Sequence, residues 1–239
     1  MRRVYTKVET RWVGRLWGIT LDGKPVRTPA KTELAVPSET LAAAIAAEWD
    51  AQQEDIRPAT MPLLRLAATA IDRTAAQRDL VVAETAGYAG TDLVCYRALS
   101  PPALAARQHA VWQPLIDWAA TRYDAALAVT TGIVPAMQPA AVLRAFAAAV
   151  AAQDDFRLTA LHSLTAASGS LVIALAILEG RLDAEAAFAA SQLDETFQIE
   201  TWGEDAEAAA RRHALAADIA AAARFIALLG DPLASRGQS

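Results

Sequence analysis

The sequence predicts an α+β fold, strands and helices first and helices alone thereafter, on three observations. Trp17, Ile19 and Leu21 alternate ahead of Asp22-Gly23, a pair that suits a two-residue hairpin because both positions tolerate positive φ. After Pro37-Ser38 the period lengthens, and Leu41, Ile45 and Trp49 fall on one helical face. Beyond about residue 138 every segment repeats with helical spacing. The expected organisation is an N-terminal α+β domain over 1–138 and a helical C-terminal domain over 139–239.

In chain order, strands are expected between Trp12 and Val36: one through Leu21, a return over Lys24 to Thr28, and a third over Glu33 to Val36. Ser38 is a good N-cap for a helix running to about Gln53, before Pro58 and Pro62 break the backbone. Leu63 to Ile71 and Gln77 to Tyr88 read as two more helices, with Gly87 and Gly90 around the second stop. Thr91 to Arg97 is either a strand or a short apolar connector, because periodicity cannot decide over so few residues. Pro101-Pro102 opens a helix through Tyr123, with Leu104, Val111, Leu115, Trp118 and Tyr123 as inner positions and a kink or restart at Pro114. Leu127 to Val134 regains β-branched character. Helices follow over 139–152, 155–179, 183–202 and 204–229, with Asp183 as an N-cap and Gly180, Gly203 and Gly230 as stops. The polar tail from Pro232 to Ser239 is expected to fray.

A chain of 239 residues can bury a substantial core. Its single cysteine, Cys95, permits neither an internal disulfide nor a cysteine-based metal site, and suits a reducing compartment. The net charge of -5 argues against nucleic acid as the main partner. No apolar run reaches the roughly 18 to 20 residues of a membrane span, and no apolar signal core follows Met1-Arg2-Arg3, so a cytoplasmic protein is expected. Neither a phosphate cradle nor a dinucleotide-binding turn is present. His109, His162 and His213 lie far apart and read as structural; Ser168-Gly169-Ser170 is not a nucleophile elbow. Cys95 sits in an apolar setting that raises a thiol's pKa and leaves it inert.

Charge and aromatics concentrate in Leu193 to Gly203. Wound at about 100° per residue, Asp194, Gln198, Thr201 and Asp205 share a face bordered by Glu195 and Trp202. This face is either a solvated acidic surface or one that holds a carboxylate against an apolar wall, where the carboxylate needs a partner or a proton. Trp202, at a helix stop beside Gly203, either covers a groove or anchors an interface. An enzymatic alternative is a small-molecule hydrolase using Asp194 or Glu200 in a cleft between the domains.

The segments Val36-Pro37-Ser38-Glu39, Glu48 to Gln53, Thr91 to Arg97, Trp112 to Ala119 and Leu193 to Gly203, in this order and spacing, resemble the alpha-subunit assembly chaperones of the ATP synthase F(1) head, a family of mitochondria and alphaproteobacteria. The similarity runs from about Trp12 to Leu229. It implies a non-enzymatic protein that holds the free alpha subunit until the beta subunit replaces it, with no cofactor and no bound metal; a monomer is expected. By the same resemblance Asp194 is the family's functionally sensitive acidic position, with Glu195, Trp202 and Gly203 as its neighbours, and Trp49 is transferred as a structural position. The sequence departs from that pattern at Thr196, where relatives carry a third acid, and at Asp194, where glutamate is commoner. The absence of a targeting segment agrees with a bacterial cytoplasmic member.

Overall fold

In the computed structural model, which describes residues 2–132, 134–135 and 137–230, Asp22 and Gly23 form the expected hairpin turn, both at positive φ (49° and 77°). The turn joins β2 (Leu16–Leu21) to β3 (Lys24–Pro25). β2 also pairs antiparallel with β1 (Val8–Val13) and β4 (Ala35–Val36), so it is the central strand of the sheet. β1 starts ahead of the expected Trp12. It is an edge strand whose Glu9, Arg11 and Trp12 are exposed, so it lacks the clean apolar alternation that marks a half-buried strand. Across its end, Trp12 faces Trp17 edge-to-face at 5.2 Å.

The next helix, α1 (Glu39–Asp50), is capped as expected: Ser38 Oγ accepts from the Leu41 amide at 3.2 Å. Leu41 and Ile45 are fully buried, and Trp49 packs against them. α1 stops short of Gln53 because Gln52 leaves the helix to donate to the Glu48 carbonyl (3.0 Å) and accept from the Arg57 amide (2.7 Å). Glu48 then serves the following helix, α2 (Pro62–Thr69), which has no side-chain cap of its own. Its two carboxylate oxygens accept from the Leu63 and Leu64 amides, each at 2.8 Å, at the positive end of the helix dipole. Burial raises the Glu48 pKa despite these bonds. Replacing Glu48 by alanine is expected to remove about 2 kcal/mol of stability, read as a thermal midpoint lowered by roughly 4–8 °C; an unchanged midpoint would contradict this capping role.

α2 runs on into a wider turn over Ala70–Thr74, and α3 (Arg78–Gly87) follows. Thr91 to Arg97 combines both expected readings: a 3-10 turn at Leu93–Cys95, then β5 (Tyr96–Arg97), which pairs in parallel with β6 (Thr130–Thr131). α4 (Pro102–Tyr123) continues through Pro114 without a restart. Within it Val111 is 40% exposed, contrary to expectation, and Trp112 is buried. One residue of rotational phase separates the two.

α5 (Ala140–Ala151) matches its expected span. The expected helix over 155–179 is instead two, α6 (Asp155–Ser168) and α7 (Leu171–Leu178): Gly169 adopts φ 69°, and Ser170 Oγ accepts from the Ile173 amide at 3.0 Å as a new N-cap. The helix expected over 183–202 is likewise divided into α8 (Ala184–Ser191) and α9 (Leu193–Trp202), and α10 (Ala206–Leu229) ends the described chain. The expected frayed tail lies outside the described residues, as does Ile133 in the expected Leu127 to Val134 strand. Among the described residues no helix is long and apolar enough to cross a membrane.

By contacts the chain groups into two units. One contains residues 2–78, 155–160 and 224–230; its core joins Ile19, Leu34 and Val36 of the sheet region to Leu41, Ile45, Leu63 and Phe225. Phe156 stacks on Phe225 at 6.4 Å, and Ser38 and Thr40 donate to the Leu228 carbonyl at 2.5 and 2.7 Å. The apolar face shared by the sheet, α1 and α2 needs a further wall to leave water, and segments from the helical half of the sequence provide it. The other unit contains residues 79–154 and 161–223. Its buried side chains include Trp112, Phe146 and Leu164, together with α7 from Leu171 to Ile177.

Candidate functional site

The break between α8 and α9 sets the geometry of the acidic stretch. Gln192 leaves helical geometry (φ −108°, ψ 23°), while the Ala190 carbonyl accepts from Trp112 Nε1 at 2.8 Å. α9 therefore starts afresh, with Asp194 in its first turn. Half-buried, Asp194 accepts through Oδ1 from Gln108 Nε2 at 2.8 Å. Gln108 is itself buried in α4, and its other amide atom accepts from the Ala98 amide at 2.6 Å. This one glutamine thus ties the start of α9 to the end of β5.

Arg97 completes the cluster. It is 8% exposed, lies over the Trp112 ring at 5.2 Å and donates through Nη1 to the Val94 carbonyl. Its buried Nη2 has no hydrogen-bond partner among the described residues. Burial lowers the Arg97 pKa, and the charges of Cys95 and Asp194 oppose that shift. Burial also pushes the Cys95 thiol up to about 12, so at neutral pH the cysteine is uncharged. A guanidinium out of water needs a nearby negative charge. Half-buried Asp194 acts on Arg97 in that direction.

Glu200, two turns on, pairs with Arg107 Nη1 at 2.6 Å, and the same guanidinium lies over Phe197 at 5.2 Å. The other acid of the stretch, Glu195, is exposed. Trp202 is 78% exposed, and Gly203 ends the helix at φ 82°, a conformation that favours glycine. Beyond it, Arg212 is fixed in place by Glu204 (3.2 Å), Gln192 (3.4 Å), Thr196 (3.2 Å) and the face of Phe188 (5.4 Å). Between α9 and α10 lies a groove of about 690 Å³, lined by residues that include Glu195, Trp202, Gly203, Asp205, Arg211 and Asp218. Asp194 is not among its lining residues.

Glu195, Trp202 and Gly203 thus meet at one groove, with Asp194 bracing the helix that carries two of them. Trp49 belongs to the other unit, where it meets Tyr5 edge-to-face at 5.8 Å and its carbonyl accepts from Tyr5 Oη at 2.7 Å. That is a packing environment.

Arg97, Gln108 and Asp92 have no role in the sequence reading. Asp92 is fully buried and accepts from the amides of Val94 (3.2 Å) and Val172 (3.0 Å), capping a 3-10 turn and the start of α7 together. Burial pushes its pKa up to about 6, against the opposing hydrogen bonds from Ser170 and these amides. The only sequence signal for Asp92 is an N-cap residue type before an apolar run. For Gln108, a polar residue in mid-helix, there is none. Among the described residues, no group of three or more His, Cys, Asp or Glu is placed to hold a metal ion.

Residues 2–120 match the family described as ATP12 chaperone protein. The crystal structure of Atp12 from Paracoccus denitrificans is 46% identical, with a match covering 95% of this chain and 98% of that one at a TM-score of 0.92. An aspartate-to-lysine mutant of the same Paracoccus protein matches with the same identity and TM-score over 97% of its chain. A protein of Agrobacterium tumefaciens is 40% identical, with a match covering 95% of this chain and 86% of that one at a TM-score of 0.91. The Paracoccus fold therefore tolerates a charge reversal from aspartate to lysine.

Proposed function

Because this chain belongs to the ATP12 chaperone family, whose members act in ATP synthase assembly, we propose that it binds the free alpha subunit of the F(1) head and shields it until the beta subunit takes its place. The observation that carries this reading is the near full-length similarity to Paracoccus Atp12. A subunit without its partner exposes a large apolar interface, and such surfaces aggregate. A chaperone for it must cover that surface and yet yield to the larger permanent interface of the assembled ring.

In this reading the protein performs no bond chemistry and acts as a monomer in the bacterial cytoplasm. Glu195, Trp202 and Gly203 form the client-facing site; Asp194 orients it and Trp49 supports the fold. The buried carboxylate with a raised pKa, Asp92, is occupied by two helix caps, so it offers no acid or base to a substrate. Affinity capture from the source cell, followed by mass spectrometry, is expected to enrich the ATP synthase alpha subunit over the beta subunit. Enrichment of an unrelated protein, with no alpha subunit present, would contradict the reading.

A further inference from the structure

We propose that the groove between α9 and α10 receives a segment of the client that presents one large apolar side chain flanked by lysine or arginine. This deepens the alpha-subunit reading above and rests on it for the identity of the client. The apolar part follows from the walls: Ile199, Ala208, Ala214 and Leu215 line the groove, and Trp202 stands beside them with 78% of its surface in water. An aromatic left so exposed at a helix end, next to a concave surface, has the form of an interface anchor.

The cationic part follows from charge. Glu195, Glu204, Asp205 and Asp218 line the groove against Arg211 and Arg212. Arg212 is neutralised by Glu204 at 3.2 Å and held by Gln192, Thr196 and Phe188, so it does not reach out to a partner. Asp205 accepts from the Ala208 amide at 2.8 Å, at the start of α10. Exposed Glu195 and Asp218, with Asp205, outnumber the remaining Arg211. A basic segment is attracted by this lining and an acidic one repelled. The groove volume of about 690 Å³ accommodates a few side chains, not a folded domain.

The test uses the full chain, its Trp202→Ala variant and a Glu195→Lys/Asp218→Lys double variant, all at exposed positions, with folding checked by circular dichroism. Two dye-labelled amphipathic peptides, one of leucine and lysine and one of leucine and glutamate, serve as probes alongside purified alpha subunit. The cationic peptide is expected to bind at least about tenfold more tightly than the anionic one. Its binding should weaken at least about tenfold in either variant and should fall with added salt. Equal binding of both peptides, or binding unaffected by Trp202→Ala, overturns the proposal. Alpha subunit captured equally well by wild type and by both variants overturns it while leaving the alpha-subunit reading intact. Trp202-dependent binding of the cationic peptide without capture of alpha subunit upholds the groove chemistry and rejects that reading. A concentration-dependent dimer abolished by Trp202→Ala would assign the groove to a second copy of this chain and overturn the proposal.

Discussion

Exchanging Asp194 for lysine is expected to abolish capture of the free alpha subunit, leave the far-ultraviolet helical signal intact and lower the thermal midpoint by roughly 4–8 °C. The carboxylate accepts from Gln108 at 2.8 Å and supplies negative charge to the buried Arg97. A lysine there leaves the Gln108 amide without its acceptor and sets one cation beside another. Losing this hydrogen bond to a charged group at a half-buried position removes about 2 kcal/mol. That loss loosens the start of α9 and with it the setting of Glu195 and Trp202 over the groove, without unfolding the helices. Asp194→Asn keeps the shape and one acceptor oxygen but not the charge, so its capture is expected to fall between wild type and the lysine variant. Undiminished capture by Asp194→Lys would show that the carboxylate neither orients nor contacts the client site.

The largest loss of stability is expected at Asp92, far from any client-facing role. Its two oxygens take separate amides, Val94 at 3.2 Å and Val172 at 3.0 Å. An asparagine offers only one oxygen, so its amide nitrogen would oppose a buried N–H. Asp92→Asn is therefore expected to remove about 2–3 kcal/mol, lowering the thermal midpoint by roughly 5–10 °C. The pH dependence has a definite sign. Folding raises the Asp92 pKa from 3.8 to about 6, so the folded state holds this proton more tightly. The proton-linked part of its stability is fully present below pH 3.8 and is lost as pH rises through about 6. Other carboxylates titrate in both proteins and cancel in the difference. The stability gap between wild type and Asp92→Asn should therefore widen as pH falls from 7 to 4; a constant gap would contradict the raised pKa.

What the sequence reveals is local. Asp22-Gly23, Ser38 and the Leu41, Ile45, Trp49 stripe each carry their signal within a few residues, and the structure follows them. The missed features depend on partners distant in the chain. Nothing in Ser191 to Leu193 announces a helix break, because its accompaniment is the Ala190 carbonyl accepting from Trp112, 78 positions away. The break at Gly169 had local signals in Gly169 and Ser170, but the continuous apolar run of α7 masked them. β1 escaped because an edge strand with exposed charges looks like a loop. At the site, Asp194 and Trp202 stand out by residue type and through family resemblance, whereas Arg97 and Gln108 gain meaning only once β5 and α4 meet α9. Thr196 here accepts from Arg212. The uncharged hydroxyl still fixes that guanidinium beside the groove.

The most direct test of the central claim is light scattering from purified alpha subunit, alone and with an equimolar amount of this protein, followed by addition of beta subunit. The account predicts that scattering is suppressed in the presence of the protein and that beta subunit then displaces it from alpha. Alpha subunit that aggregates at the same rate with and without it would contradict the account.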